Sequence, residues 1–159
     1  MEKMLVRGVT KDTDVARISI VGVEDTPGVA FKIFDKLAAK NINIDIILQS
    51  VGRDGTKDIT FTTTLNHVDT VVDLFENSSI SYLQNAKVLT DTNVAKISVV
   101  GAGMETHPGT AAKMFEALFE ADINIQMIAT SEIKISVLID KKDADRAVSA
   151  VHKAFIPNE

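Results

Sequence analysis

Two stretches of this 159-residue chain put a Pro-Gly pair where an extended segment gives way to a helical one: GVEDTPGVA (22–30) and GAGMETHPGTA (101–111). A helix start offers first-turn N–H groups without intrahelical acceptors and the positive end of the helix dipole, which suits a carboxylate. Small residues follow each glycine, Val29-Ala30 after Gly28 and Thr110-Ala111 after Gly109, so a ligand can approach the backbone. A plain Pro-Gly turn entering a helix has the same spelling. Its recurrence behind a two-residue insertion weakens that plainer reading.

An opposite wall is offered by NID (43–45) and NIQ (124–126), where amides stand beside strand-end backbone. Such groups hold an ammonium through carbonyls and a carboxylate through N–H. Asparagine as a strand-entry turn residue is the alternative use. Asp25, Asp45 and Gln49 have Thr106, Gln126 and Thr130 as counterparts, with no acid among them. The two sites are therefore chemically unequal.

Other chemistry is poorly provided for. The chain has no cysteine, which excludes disulfides, thiolate metal sites and cysteine nucleophiles. His67, His107 and His152 are scattered, and HExxH, GxSxG and GxxxxGK[ST] are absent. Gly101-Ala102-Gly103 lacks the third glycine of a dinucleotide loop. No catalytic residue, metal site or cofactor is assigned. A net charge of −5 and 5% aromatic residues argue against nucleic acid and anionic membranes as partners. With no long apolar run or signal-peptide pattern, a cytoplasmic location is expected.

The elements that must position these residues come in two copies. VTKDTDVARISIVG (9–22) faces VLTDTNVAKISVVG (88–101), and DTPGVAFKIFDKLAAKNINIDII (25–47) faces THPGTAAKMFEALFEADINIQMI (106–128). DITFTTTL (58–65) then faces KISVLI (134–139). Alternation predicts strands at 16–23, 43–51 and 58–65, the last two joined by the polar turn GRDGTK (52–57). Helical spacing predicts helices over 28–40, with Phe31, Phe34, Leu37 and Ala38 on its apolar stripe, and over 67–76. The second copy repeats this as strand 94–101, helix 109–121, strands 124–130 and 133–139, and helix 142–155.

Each copy is thus one strand short of a ferredoxin-like β-α-β-β-α-β sandwich. Residues 86–89 supply it for the first copy. By repeat register, LVRGV (5–9) supplies it for the second. The expected fold is α+β, two βαββαβ domains with the first (16–90) inserted in the second (5–9 plus 91–156). Sheet edges and an apolar helix face of Phe115, Leu118 and Phe119 point to a homodimer.

This pattern resembles the ACT domain, a ferredoxin-like amino-acid sensor, and in tandem the regulatory region of aspartate kinase. The carriers are VRGVTKDTDVARISIVGVEDTPGVA, NINIDIILQS, VVGAGMETHPGTAAKMFEAL and NIQMIATSEIKISVLI, with SEIKIS (131–136) the most specific. The resemblance implies a non-catalytic effector-binding module, either a separate regulatory subunit or part of a longer enzyme, whose partner is the kinase catalytic domain or subunit. It implies feedback control by L-threonine, L-lysine or both. One implied site joins Asp25, Gly28, Val29, Ala30 and Gln49 to Asn124 and Ile125. A second joins His107, Gly109, Thr110 and Ala111 to Asn43, Ile44 and Asp45. Ser131 and Glu132 are implied to line a site or transmit its signal. A free-standing ACT sensor with another partner is the alternative. An acylphosphatase-like enzyme on the same fold would want a loop arginine, and Arg7, Arg17, Arg53 and Arg146 all miss the 24–30 and 103–110 loops.

Overall fold

The computed structural model describes residues 5–52, 54–76, 80–102 and 109–156. They form two units, one taking Asp14–Thr92 and the other the flanking segments up to Thr13 and from Asn93 on.

In the inserted unit, β2 (Ala16–Glu24), α1 (Val29–Ala39), β3 (Ile47–Val51), β4 (Thr56–Thr63), α2 (Val68–Glu76) and β5 (Lys87–Asp91) follow in that order. Its sheet has the order β3-β4-β2-β5, every pair antiparallel. One face is apolar because alternate residues share it: Ile18 and Ile20 on β2 stand beside Phe61 and Ile59 on β4. Val29, Ile33 and Leu37 of α1, with Val71 and Phe75 of α2, close over that face as one buried cluster.

The outer unit repeats the plan with β6 (Val94–Ala102), α3 (Gly109–Glu120), β7 (Met127–Thr130), β8 (Lys134–Asp140) and α4 (Ala144–Phe155). Its fourth strand is β1 (Leu5–Asp12), antiparallel to β6, in a sheet of order β1-β6-β8-β7. Ile97, Val99, Ile135, Val137 and Ile139 face Met114, Leu118, Ala147 and Val151 in its core. The first domain is thus inserted in the second, as the strand arithmetic expected.

The two completing strands are exchanged in register. β1 leads into β2 yet pairs with β6, and β5 leads into β6 yet pairs with β2. Asp91 on β5 therefore lies opposite Arg17, 3.4 Å from its guanidinium, and its repeat partner Asp12 on β1 lies opposite Lys96. The central hydroxyls are repeated too: Ser19 pairs with Thr60 at 2.9 Å and Ser98 with Ser136 at 2.7 Å.

Both first helices end in the same way. Asn41 N–H reaches Ala38 O at 3.0 Å and Ile42 N–H reaches Leu37 O at 3.1 Å; Asp122 and Ile123 repeat this onto Phe119 and Leu118. These are paired Schellman bonds, with Asn41 (φ 56°) and Asp122 (φ 58°) in the left-handed position. The motif turns the chain so that Ile42 and Ile123 enter the cores.

Three sequence expectations need correcting. The buried stripe of α1 is Val29, Ile33 and Leu37, with Ala30 and Phe34 beside it, while Phe31 is 71% exposed and Ala38 is exposed. The helix phase is set by the i, i+4 set that starts at Val29. The strands expected at 43–51 and 124–130 begin only at Ile47 and Met127. In the first copy the approach to β3 is irregular: Thr62 exchanges backbone bonds with both Asp45 and Ile46, Thr63 hydroxyl donates to Asn43 O at 2.7 Å, and Ile46 N–H donates to Thr62 Oγ1 at 3.0 Å. Finally, Leu118 is fully buried and Phe115 packs against the core, so Phe119 alone of the three stays open, at 80% exposure.

Two outcomes follow from the exchange and the caps. Deleting residues 1–12 unpairs the outer edge of β6 and uncovers the cluster beside Val9, so thermal unfolding should shift down and the protein should aggregate. Melting unchanged by the deletion would contradict the pairing. Asp122→Gly should raise stability by about 0.5–1 kcal/mol in denaturant unfolding, because glycine takes the left-handed position without steric cost.

Candidate functional site

The loop between β2 and α1 is latched to the start of β4 by three contacts. Gly22 N–H donates to Asp58 Oδ1 at 2.9 Å, Asp25 N–H donates to Gly55 O at 2.9 Å, and Lys57 Nζ stands 3.5 Å from Asp25 Oδ1. The hairpin that presents Gly55 depends on special backbone. Asp54 and Gly55 both have positive φ, and a Cβ at Gly52 would lie 2.1 Å from Thr56 O.

Lys57 belongs to β4, not to the polar turn in which the sequence placed it. It alternates with Ile59 and Phe61 on the core-facing side and lies opposite Val23 and Val51. Only 7% of it is exposed. A buried ammonium must be answered by a counter-charge, and Asp25, half exposed at the loop, supplies it. Gln49, exposed on β3 opposite Ile59, is the diagonal neighbour of Lys57 on the same face.

At the helix start, Gly28 is the N-cap, with φ 90° and ψ −10°. The regular ladder begins with Lys32 N–H on Gly28 O at 3.0 Å. The N–H groups of Val29, Ala30 and Phe31 precede it, Val29 reaching Thr26 O at 3.4 Å. A Cβ at Gly28 would meet nothing within 4 Å, so its glycine is required by backbone conformation and not by crowding. Val29 is buried and contributes through its backbone alone. The structure therefore brings Asp25, Gly28, Val29 and Ala30 together at one junction.

The second copy differs. Gly109 is already inside α3, Thr110 is buried, and Ala111 is half-buried against the core. His107 and Thr106 lie outside the described residues. Where the first unit has Lys57, the second has Ile133, 58% exposed. Gly101 N–H donates to Ile133 O at 2.8 Å, where its repeat partner Gly22 donates to the Asp58 carboxylate.

The strand-entry residues occupy irregular segments. Asn43 and Asp45 are exposed beside half-buried Ile44, and Asp45 N–H donates to Thr62 O at 3.1 Å. Asn124 is exposed and Ile125 packs against the outer core. Ser131 is engaged in its own turn: its hydroxyl accepts from Lys134 N–H at 3.2 Å and Ile133 N–H at 3.4 Å. Glu132 is exposed on the same turn. Lys57 and Asp58 were missed from sequence. The in-phase run Lys57, Ile59, Phe61 was the signal that could have found the first.

His67 ends the short turn (Leu65–His67) that leads into α2, and His152 lies on α4. Among the described residues, no group of three or more His, Cys, Asp or Glu converges as a metal site, and no helix is long and apolar enough to cross a membrane.

Comparison with known proteins gives two matches to the ACT domain family, at residues 16–77 and 97–155. The chain is 36% identical to the ligand-free regulatory subunit of aspartate kinase from Thermus thermophilus, covering 95% of this chain and 99% of that one at a TM-score of 0.87. A structure of aspartokinase alpha and beta subunits is 43% identical, with 95% and 99% covered and a TM-score of 0.85. The aspartate kinase of Pseudomonas fluorescens is 46% identical over 155 residues. That match takes in 98% of this chain but 37% of the relative, so the chain spans little more than a third of the full-length enzyme's length.

The unequal glycines give a direct check. Gly28→Ala forces a left-handed alanine and should cost about 1–2 kcal/mol in urea unfolding. Gly109→Ala, within a helix and with open space around its Cβ, should be neutral or stabilising by up to about 1 kcal/mol. Equal effects would show that the two helix starts are conformationally alike.

Proposed function

Because this chain belongs to the family of tandem ACT-domain regulatory parts of aspartate kinase, we propose that it binds an amino-acid end product and controls a kinase catalytic domain or subunit by feedback. The observation that carries this reading is the end-to-end match, at one fold, with a protein that is itself a regulatory subunit. The chain corresponds to the regulatory part of such enzymes. Phosphorylation of aspartate belongs to the portion of the relatives that it does not span, and the expected setting is the cytoplasm.

The ligand best suited to the inserted unit's half-site is L-threonine. The first-turn N–H groups of α1 take the carboxylate. Asp25 and Gln49 answer the ammonium and the side-chain hydroxyl. The resemblance completes this site with Asn124 and Ile125. It builds the quasi-equivalent site from His107, Gly109, Thr110 and Ala111 with Asn43, Ile44 and Asp45, where L-lysine is the second candidate. Ser131 and Glu132 sit on the β7–β8 turn, suited to passing on a change at that site. An effector acts by binding one arrangement of units better than another, a coupling of typically ~1–3 kcal/mol.

A homodimer accompanies the reading. The free edges β3 and β7 carry exposed aliphatics, with Ile47 52% and its repeat partner Ile128 43% accessible. Exposed edges of this kind invite pairing with another chain.

Calorimetric titration of threonine and lysine tests the ligand. Asp25→Ala or Gln49→Ala should weaken threonine by roughly ten- to a hundredfold, from losing about 1.5–3 kcal/mol of charge-assisted bonding. Unchanged affinity in both variants would remove the site assignment, and a wild type that binds neither amino acid would remove the effector reading. Light scattering tests the assembly. The wild type should be a dimer, and Ile47→Lys with Ile128→Lys should shift it towards monomer; a monomeric wild type at micromolar concentration, with and without threonine, contradicts the dimer.

A further inference from the structure

We propose that Lys57 sets the charge selectivity of the inserted unit's half-site, admitting an amino acid with an uncharged side chain and opposing one that brings a second cation. The inference rests on the reading of that half-site as an amino-acid site, and adds the residue that chooses among amino acids.

Three observations carry it. Lys57 is 7% exposed on the core face of β4, and its ammonium stands 3.5 Å from the half-exposed carboxylate of Asp25. The charge of the one acid at the helix start is therefore already balanced from beneath. A carboxylate retains acceptor capacity while paired, so Asp25 can still take a hydroxyl or ammonium donor. Within this pair the charges cancel, and the positive end of the α1 dipole adds to the cation's side. A zwitterion with no net charge fits that balance. A ligand of net charge +1 meets a largely buried ammonium that solvent screens less than it would a surface lysine.

The second observation is the repeat. In the other copy the acid and the base are replaced together: Asp25 corresponds to Thr106 and Lys57 to Ile133. The third is that the outer unit buries no side chain at that place: Ile133 is 58% exposed on the turn before β8. Burying an ammonium is costly. Its presence in one copy is accounted for by what the copy binds. Excluding the wrong ligand by an unfavourable charge is a common route to specificity. Among the described charged side chains near the loop, Glu24, Lys32 and Asp54 are exposed, and Asp58 is engaged with Gly22 N–H.

The test is titration calorimetry of threonine and lysine with the full chain as wild type, Lys57→Met and Lys57→Arg, each checked for folding by circular dichroism. Met matches the length of lysine without its charge. It should raise the lysine-to-threonine affinity ratio by about tenfold or more, the scale of one close charge pair at a partly wet site. Lys57→Arg keeps the cation and should keep the wild-type ratio. Adding Asp25→Asn to Lys57→Met should abolish the gain, because the carboxylate that Lys57 released is removed with it. A ratio within about twofold of wild type in folded Lys57→Met overturns the proposal while leaving the amino-acid site intact. A wild type that prefers lysine overturns it as well. A wild type that binds neither amino acid overturns the site reading and this inference together.

Discussion

A sheet covered by helices on one face holds together only if its central strand is paired on both sides, and here that pairing is reciprocal. β2 takes β5 on its second side and β6 takes β1, although each completing strand is followed in sequence by the other unit's central strand. Short links, 13–15 and 92–93, separate them. A break between residues 92 and 93 leaves the inserted unit's four strands on one piece but parts β1 from β6, so the outer unit depends on a chain that runs through its neighbour. The Arg17–Asp91 and Lys96–Asp12 pairings mark the register of the exchange on both sides. A strand slipped by one residue would turn these charges into the core.

Within that shared frame the two copies keep what packs and differ in what closes the loop. The cross-strand hydroxyl pairs and the Schellman caps recur residue for residue. The link between the first strand's exit and the third strand's entry does not. Gly22 N–H donates to the Asp58 carboxylate, whereas its partner Gly101 donates to Ile133 O, and the sequence has Ile133 and Thr106 in the places of the paired Lys57 and Asp25. The helix start follows the same division, a left-handed N-cap at Gly28 against a helical Gly109. The duplicated architecture thus carries different residues beside its two helix starts.

Much of this was legible in the sequence. The repeat located the Pro-Gly starts, and counting strands required LVRGV to complete the outer sheet. The errors have local causes. Phe31 was assigned to the apolar stripe of α1 because it is large; the helix phase follows Val29, Ile33 and Leu37, and leaves it in the open. The alternation at 42–46 reads as a strand because its side chains do alternate, but Thr62 bonds two successive residues, Asp45 and Ile46, through its backbone, and the hydroxyls of Thr62 and Thr63 take Ile46 N–H and Asn43 O, so no regular ladder forms. Lys57 was hidden by its neighbours, since a lysine after Asp-Gly-Thr looks like turn solvent. Its inward direction comes from the period-two phase shared with Ile59 and Phe61, and its partner Asp25 is distant in sequence.

The central claim is that the junction of the β2 loop and α1 receives an amino acid. Amide chemical shifts in a two-dimensional nitrogen–proton spectrum, followed as threonine is added, report on that place directly. The account predicts the largest changes at the N–H groups of Val29, Ala30 and Phe31 and at Asp25, whose N–H is tied to Gly55. Changes confined to other parts of the inserted unit, with these four amides unmoved at saturation, would contradict it.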